Sequence, residues 1–403
     1  MVKKILKSYD YSLIITIVLL SIFGLVMIYS ASMVTTLQFY GVESDFFYQK
    51  QKIFLILAAI IFLTVALFPY KALVSNKILV PMVIISLLGL GIIFVVGHVA
   101  GNAQSWIKIG SFSVQPSEFV KISVIIYLSA VYAKKQTYIN EFNRGVAPPL
   151  AYLLLVFLLI AAQPDYGTAG IIIIIAGTII ISSGMNLKNI MKLFLIVLVA
   201  LAPIILVLKN EIFSEERISR FTSLKNPFAV AQDEGFHLVN SFIAIGSGGI
   251  KGLGLGKSIQ KLGYLPESHT DFIMAVIAEE LGIWGVAFVL LSLGFIVLKG
   301  ILIGMRCKDP FGSLLAIGVS SMIGIQSFIN LAGISGLIPI TGVPLPFVSY
   351  GGSSLLQLSI AMGILVNVSM FVNYEHKYKN IEEKQEKGSK RNTVSKNSTH
   401  FHL

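Results

Sequence analysis

The chain has 403 residues, 55% of them hydrophobic and only 13% charged, with a formal net charge of +11. That balance belongs to a membrane protein and excludes an ordinary soluble domain. Basic residues in such a protein collect in loops that face anionic lipid, so the charge gives no argument for nucleic acid. The single cysteine, Cys307, excludes an internal disulfide and a cysteine-based metal site, and the six histidines show no metal-ligand spacing.

Apolar runs of about 20 residues recur along nearly the whole chain, which is the length a bilayer-crossing helix needs. They are continuous, as in Ile171–Ile175. A closed barrel would alternate, so the expected fold class is all-α and polytopic. The start, Met1-Val2-Lys3-Lys4 and an apolar run, imitates a signal peptide. The run from Ser12 to Val34 is too long for a cleaved segment, and further spans follow, so it reads as the first span. Ten spans are expected, at about 12–34, 53–68, 79–98, 117–133, 149–163, 168–183, 191–208, 271–298, 313–333 and 352–374. Together they form one transmembrane domain over 1–374. The polar, mixed-charge tail over 375–403 is expected to be disordered and cytoplasmic.

An even number of spans puts both termini on one side. Lys3, Lys4, Lys7, Lys71, Lys77, Lys134, Lys135, Arg144, Lys188, Lys192, Lys299, Arg306 and Lys308 then share that side, against Lys50, Lys52 and Lys108 on the other. The asymmetry predicts cytoplasmic termini and places the long loop, 209–270, between spans seven and eight, outside the cell membrane. Three stretches break the simple pattern. Gln163–Thr168 is a tight turn between two short spans. His237–Ile245 is apolar but too short to cross, so it reads as interfacial or re-entrant. Gly333–Gly352 is apolar yet rich in Gly and Pro, and irregular backbone at that depth must be buried in protein or line a wet cavity.

Asp271 is the first candidate for chemistry, because it stands where the long loop enters an apolar run. Ser268-x-x-Asp271 also fits a helix capping box. Against that reading stands its border position, where helix dipole and burial push the carboxyl in opposite directions, as suits a general base. Glu118 and Lys121 share a helix face at i,i+3. They form either a self-satisfying ion pair or a cationic anchor for phosphate with its orienting acid. Asp165, in Pro-Asp-x-Gly, has an ordinary turn reading beside a functional one. Glu279 and Glu280 lie roughly 12–14 Å beyond Asp271 along one helix, too far for acid–base pairing, and read as hydrogen-bonding groups. Arg217, Arg220 and Lys225, with Lys251, Lys257 and Lys261, form either a solvated basic surface or an attractor for an anionic headgroup. His269 reads as a loop residue that orients its neighbours.

The stretches Gln115–Glu118, Gln163–Thr168, Leu265–Phe272, Glu279–Gly282 and Thr341–Ser354 together resemble the SEDS family, the FtsW/RodA/SpoVE polytopic membrane proteins, in family order across about 340 residues. The start, Ser8–Ser12, and the tail look closer to the FtsW division branch of Gram-positive rods than to RodA. The resemblance implies a peptidoglycan glycosyltransferase, inverting, that polymerises lipid II into β-1,4-linked glycan strands at the outer membrane face. Asp271 would be its general base, and Glu118, Lys121, Asp165, His269, Arg217 and Arg220 would line the substrate site. The leaving pyrophosphate calls for cations: Lys121, the loop arginines, or a divalent Mg²⁺ or Mn²⁺ ion. Implied partners are lipid II, the nascent strand, a class B penicillin-binding protein and other division membrane proteins, with no nucleic acid. The division septum is the implied location. Two departures touch the site: Phe236-His237 and Gln104-Ser105 stand where relatives more often carry an aromatic with Gln, and a basic residue. Two other readings stand beside this one, a lipid II flippase and a division scaffold without chemistry.

Overall fold

Ten apolar runs become ten helices in the computed structural model, which describes residues 2–100, 103–110, 112–142, 147–207, 219, 224–230 and 235–379. They are α1 (Tyr11–Thr35), α2 (Phe46–Leu67), α3 (Asn76–Val96), α4 (Pro116–Lys134), α5 (Ala147–Ala161), α6 (Tyr166–Ser182) and α7 (Leu187–Val207), then α9 (Ile273–Arg306), α10 (Pro310–Ile334) and α11 (Gly352–Tyr374). Between α7 and α9 lies a shorter helix, α8 (Phe236–Gly248), on the segment too short to cross. Among the described residues, seven helices are long and apolar enough to cross a bilayer, and α6 and most of α5 are shorter apolar helices. The tail expected to be disordered from residue 375 instead continues as a short helix, Glu375–Lys379, and beyond Lys379 it lies outside the described residues.

Helices α4, α10 and α11 form the centre. Nearly every residue from Ser117 to Tyr132 of α4 is buried. α10 packs on α4, α6 and α9, and α11 packs on α2. By contrast α3 leaves Val80, Ile84, Ile85, Leu88, Ile92 and Val95 exposed, as a helix facing lipid should. Two features depart from the expected pattern. A small antiparallel sheet, β1 (His98–Ala100), β2 (Ala103–Ile109) and β3 (Phe112–Val114), joins α3 to α4 in the order β1-β2-β3. Gln104 ties it down by donating to the carbonyls of Ile93 and Gly97 at the end of α3.

The second departure is a break inside α9. At about 1.5 Å per residue its 34 residues would reach about 51 Å, well beyond a hydrocarbon core of about 30 Å. Gly282 interrupts the helix with φ 61° and ψ −152°, a conformation that only glycine adopts readily. The carbonyls freed by the break are met from the preceding loop: Leu253 N–H donates to Glu279 O and Gly254 N–H to Glu280 O, both at 2.9 Å. Ile283 N–H donates back to Gly249 O. The first piece, Ile273–Glu280, is wholly buried, and the second carries the exposed Ile283, Trp284, Leu291 and Leu298. A short internal helix therefore leads from the loop into the spanning piece.

Candidate active site

Two irregular segments, 264–272 and 341–351, meet over the ends of α10 and α11 and build the site. Asn330, on α10, donates from one amide nitrogen to both Asp271 O (2.8 Å) and Val343 O (2.9 Å), joining the segments. Ser349 Oγ donates to Thr270 O at 2.7 Å, and Tyr350 N–H donates to His269 O at 2.9 Å. Glu267 and Phe347, one in each segment, hold positive φ angles of 55° and 65°, strained values that persist where surroundings impose them.

The capping box does not form. α9 starts at Ile273, with Phe272 in the cap position and no side-chain cap. Ser268 Oγ instead donates to Ala31 O on α1 at 3.0 Å. Asp271 is thus free of a capping role, and among the described residues its carboxylate receives no hydrogen bond. It is partly buried. A methyl group built on Gly342 would stand 3.7 Å from its Oδ2, so the carboxylate lies along bare backbone. Burial, with Glu267 adding like charge, pushes the Asp271 carboxyl up to about 7.

His269 is buried between aromatic rings, with Phe47 at 4.3 Å and Tyr350 at 5.6 Å between centroids. Burial pushes it down to about 4, against the pull of Glu267, so it is neutral near pH 7. That environment makes it a support for the loop, as a residue that orients its neighbours. His237 stacks on Phe272, the residue after Asp271, with ring centroids 5.9 Å apart.

A second group gathers at the start of α4 and α6. Lys121 Nζ meets Glu118 Oε1 at 2.7 Å, and both side chains are almost fully buried. Asp165 caps α6 by accepting from Thr168 N–H at 3.1 Å and also accepts from Gln115 Nε2 at 3.3 Å. Its carboxyl is pushed up by burial, while Thr168 and the charge of Lys121 work the other way and Glu118 adds to the rise. The turn reading of Asp165 therefore holds, and the same residue also senses the Glu118–Lys121 pair. This group reaches the first through Gly167, where an added methyl would come within 3.4 Å of Thr341 O, one residue from Gly342.

Glu279 and Glu280 serve the loop. Glu279 accepts from Ser258 Oγ and from the N–H groups of Ile259 (2.9 Å) and Gln260 (3.4 Å). Glu280 pairs with Lys261 Nζ at 2.6 Å and accepts from Ser30 Oγ on α1 at 2.8 Å. This corrects the grouping of Lys261 with a basic surface: it is buried in an ion pair, whereas Lys225, Lys251 and Lys257 are exposed. Arg217 and Arg220 lie outside the described residues. Among the described residues no group of three His, Cys, Asp or Glu side chains is placed to hold a metal ion. The sequence marked the stretches that hold Gln115 and Gly342 without giving either residue a role in the site, and it did not mark Asn330 at all.

A family model described as cell cycle protein, covering FtsW, RodA and SpoVE, matches residues 10–374. The chain is 58% identical over 399 residues to the probable peptidoglycan glycosyltransferase FtsW of Bacillus subtilis, covering 98% of this chain and 99% of that one. It is 38% identical over 371 residues to stage V sporulation protein E of the same organism, covering 91% and 98%. Among solved structures, the rod shape determining protein RodA of Thermus thermophilus shares the fold, with a TM-score of 0.64, 24% identity and coverage of 90% and 96%. A structure described as coordinating polymerisation and crosslinking in a peptidoglycan synthase complex gives a TM-score of 0.69 at 21% identity, covering 90% and 98%. On the extent of these matches the chain, a multi-pass membrane protein, belongs to the FtsW/RodA/SpoVE family of cell cycle proteins.

Proposed function

We propose that this chain is a peptidoglycan glycosyltransferase of cell division and that Asp271 is its general base. The activity follows its relatives over nearly their full length. The assignment of Asp271 is carried by one observation: a partly buried carboxylate, walled by backbone, that no donor among the described residues satisfies. In the proposed reaction an acceptor sugar hydroxyl gives its proton to Asp271 as its oxygen bonds to the donor's anomeric carbon. The bond from that carbon to undecaprenyl pyrophosphate breaks on the opposite face, and the configuration inverts. A base poised near the working pH suits that transfer. Lipid II is the substrate and a class B penicillin-binding protein the crosslinking partner in this reading, which places the Asp271 end of the bundle outside the cell and both termini inside, at the septum. Lys121 and a divalent Mg²⁺ or Mn²⁺ ion are its candidates for offsetting the charge of the leaving group. A flippase would need an open polar path, and the oxygens of Glu279 and Glu280 are instead taken up by loop donors.

The test is purified protein, with and without its transpeptidase partner, given labelled lipid II and Mg²⁺ or Mn²⁺. Glycan ladders from the wild type and none from Asp271→Ala are expected. Ladders from both proteins would remove Asp271 from the mechanism, and ladders from neither would remove the polymerase reading.

A further inference from the structure

Two buried asparagines clamp backbone at opposite ends of the bundle, and they are satisfied differently. Asn367, on α11, is 1% exposed and uses both halves of its amide. Its Oδ1 accepts from Tyr70 N–H at 2.9 Å, and its Nδ2 donates to Ala66 O at 2.7 Å. Asn330, one turn before the end of α10, is 4% exposed. Its Nδ2 serves two carbonyls, Asp271 O and Val343 O, while its Oδ1 is buried without a partner. An orphaned buried acceptor costs free energy that a fully bonded asparagine avoids. What the position keeps is one amide NH₂ group placed between two carbonyls.

Neither carbonyl has a partner in regular structure. The first N–H groups that close a turn of α9, those of Ala275 and Val276, reach Phe272 O, so Asp271 O falls just outside the helix. Val343 O belongs to irregular chain. Carbonyls held away from water need donors, and Asn330 supplies both from a helix to which neither segment belongs. On the other side of Asp271 the turn is closed by Phe272 N–H, which donates to Glu267 O at 3.2 Å. Gly342, next to Val343 and left-handed at φ 71°, is the backbone that lies along the Asp271 carboxylate. The ties from Ser349 Oγ to Thr270 O and from Tyr350 N–H to His269 O lie further along both segments. Among the described residues, the Asn330 amide is the tie at the carboxylate itself.

We propose that Asn330 is a positioning residue for Asp271: its amide pins the backbone of Asp271 to that of Val343 and so sets the carboxylate against the bare chain at Gly342. The inference rests on the reading of Asp271 as the base. Without the clamp the two segments part at this point, while Ser349 and Tyr350 still hold them further on. Water then reaches the carboxylate from the side that Gly342 covers. The charges around Asp271 stay as they are. α10 carries no titratable side chain, and the 341–351 segment brings only Tyr350. Glu267 adds like charge, His269 is neutral near pH 7, and His237 stacks on Phe272. Burial is the largest of the causes that hold the Asp271 carboxyl near 7, so opening the clamp moves it down.

The test compares Asn330→Ala with Asn367→Ala in the full-length protein in nanodiscs. Each variant loses one buried clamp, and each should unfold at a lower temperature than the wild type. Infrared titration of the resting protein reads the Asp271 carboxyl as the band that Asp271→Asn removes. In Asn330→Ala its midpoint should fall by about one unit or more, and in Asn367→Ala it should stay at the wild-type value. With labelled lipid II, Asn330→Ala should lower kcat on the order of 10- to 100-fold and leave KM within about twofold, as a displaced base does. Asn330→Ser keeps one donor, so it should fall between the wild type and Asn330→Ala in both readouts, and it takes the place of Asn330→Ala if that protein does not fold. An unmoved midpoint in either folded Asn330 variant, an equal shift in Asn367→Ala, or a loss confined to KM overturns the role of Asn330. The titration involves no turnover, so a wild type that makes no glycan would remove the polymerase reading and leave the midpoint to decide on the clamp.

Discussion

The two acid groups on either side of the short internal helix are treated in opposite ways. Glu279 and Glu280, at its far end, are almost fully enclosed, and their oxygens collect donors from Ser258, Ile259, Gln260, Lys261 and Ser30. Asp271, before its start, is partly open and collects none among the described residues. A carboxylate saturated by its own protein has little left for a substrate and holds structure. One held in place by backbone contacts, with its lone pairs unused, remains available for a proton. Burial alone does not separate the two cases, since both lie largely out of water. The count of donors does.

The largest effect should come from Asp271. Asp271→Asn keeps the shape and removes the basic oxygen, so strand synthesis should fall by about 10²- to 10⁴-fold, the usual worth of a positioned general base. Gel-resolved glycan products from lipid II measure it, alongside the thermal midpoint in detergent, which should not drop. A variant with wild-type turnover would dissolve the contrast, because the free carboxylate would then be no more chemical than the bound ones.

Next comes Glu280. Glu280→Ala strands Lys261, whose side chain is 4% exposed, without its partner. Breaking one side of a buried pair costs about 3–5 kcal/mol. The midpoint of unfolding should fall sharply, with activity lost in step with folded protein, and the double change Glu280→Gln with Lys261→Met should recover most of the loss. If Glu280→Ala instead cut turnover in a protein of unchanged stability, the far cluster would be chemical too.

What could be read in the chain follows the range of the interactions. Continuous apolar runs made the positions of the ten helices legible, seven of which among the described residues are long and apolar enough to cross a bilayer, and the brevity of the segment near His237 marked α8. Asp271 was legible as an acid at a border. The hairpin over 98–114 was missed although Ile107, Ile109, Phe112 and Val114 alternate, because strands of three to seven residues give too few periods to stand out. The break at Gly282 was hidden because apolar residues continue through it, and other glycines of α9 sit in ordinary helix. Its cause is the loop at Gly249–Gly254, more than two dozen residues earlier. Asn330, and the tie of Gly342 to Asp271, were missed for the same reason, since nothing local links either residue to Asp271.

A smaller effect sharpens the comparison through pH. The Asp271 carboxyl lies near 7, raised from an ordinary value of 3.8 by burial and by Glu267. As a base it must be ionised, so turnover should climb with pH and level off above about 7. The stability change has the opposite sign. The folded protein holds this proton more tightly than the unfolded chain, so stability present at pH 4 is lost as pH rises toward 7. Allowing for its open side, the loss is on the order of 1–3 kcal/mol. Asp271→Asn should flatten that part of the stability profile. Glu280→Gln should leave the rise of activity with pH where it is.

The smallest effect separates a cap from a tether. Had Ser268 and Asp271 capped α9, removing the hydroxyl would loosen the first turn of that helix. In the structure Ser268 Oγ donates to Ala31 O, and Phe272 occupies the cap position. Ser268→Ala should therefore cost about 1 kcal/mol, the net value of one buried hydrogen bond. Its trace should appear where the 264–272 segment meets α1. Amide exchange in residues 273–276 should be unchanged, while exchange around Leu265–Thr270 speeds up. Faster exchange at the helix start alone would restore the capping box, and with it a structural duty for Asp271 that would weaken its contrast with Glu279 and Glu280.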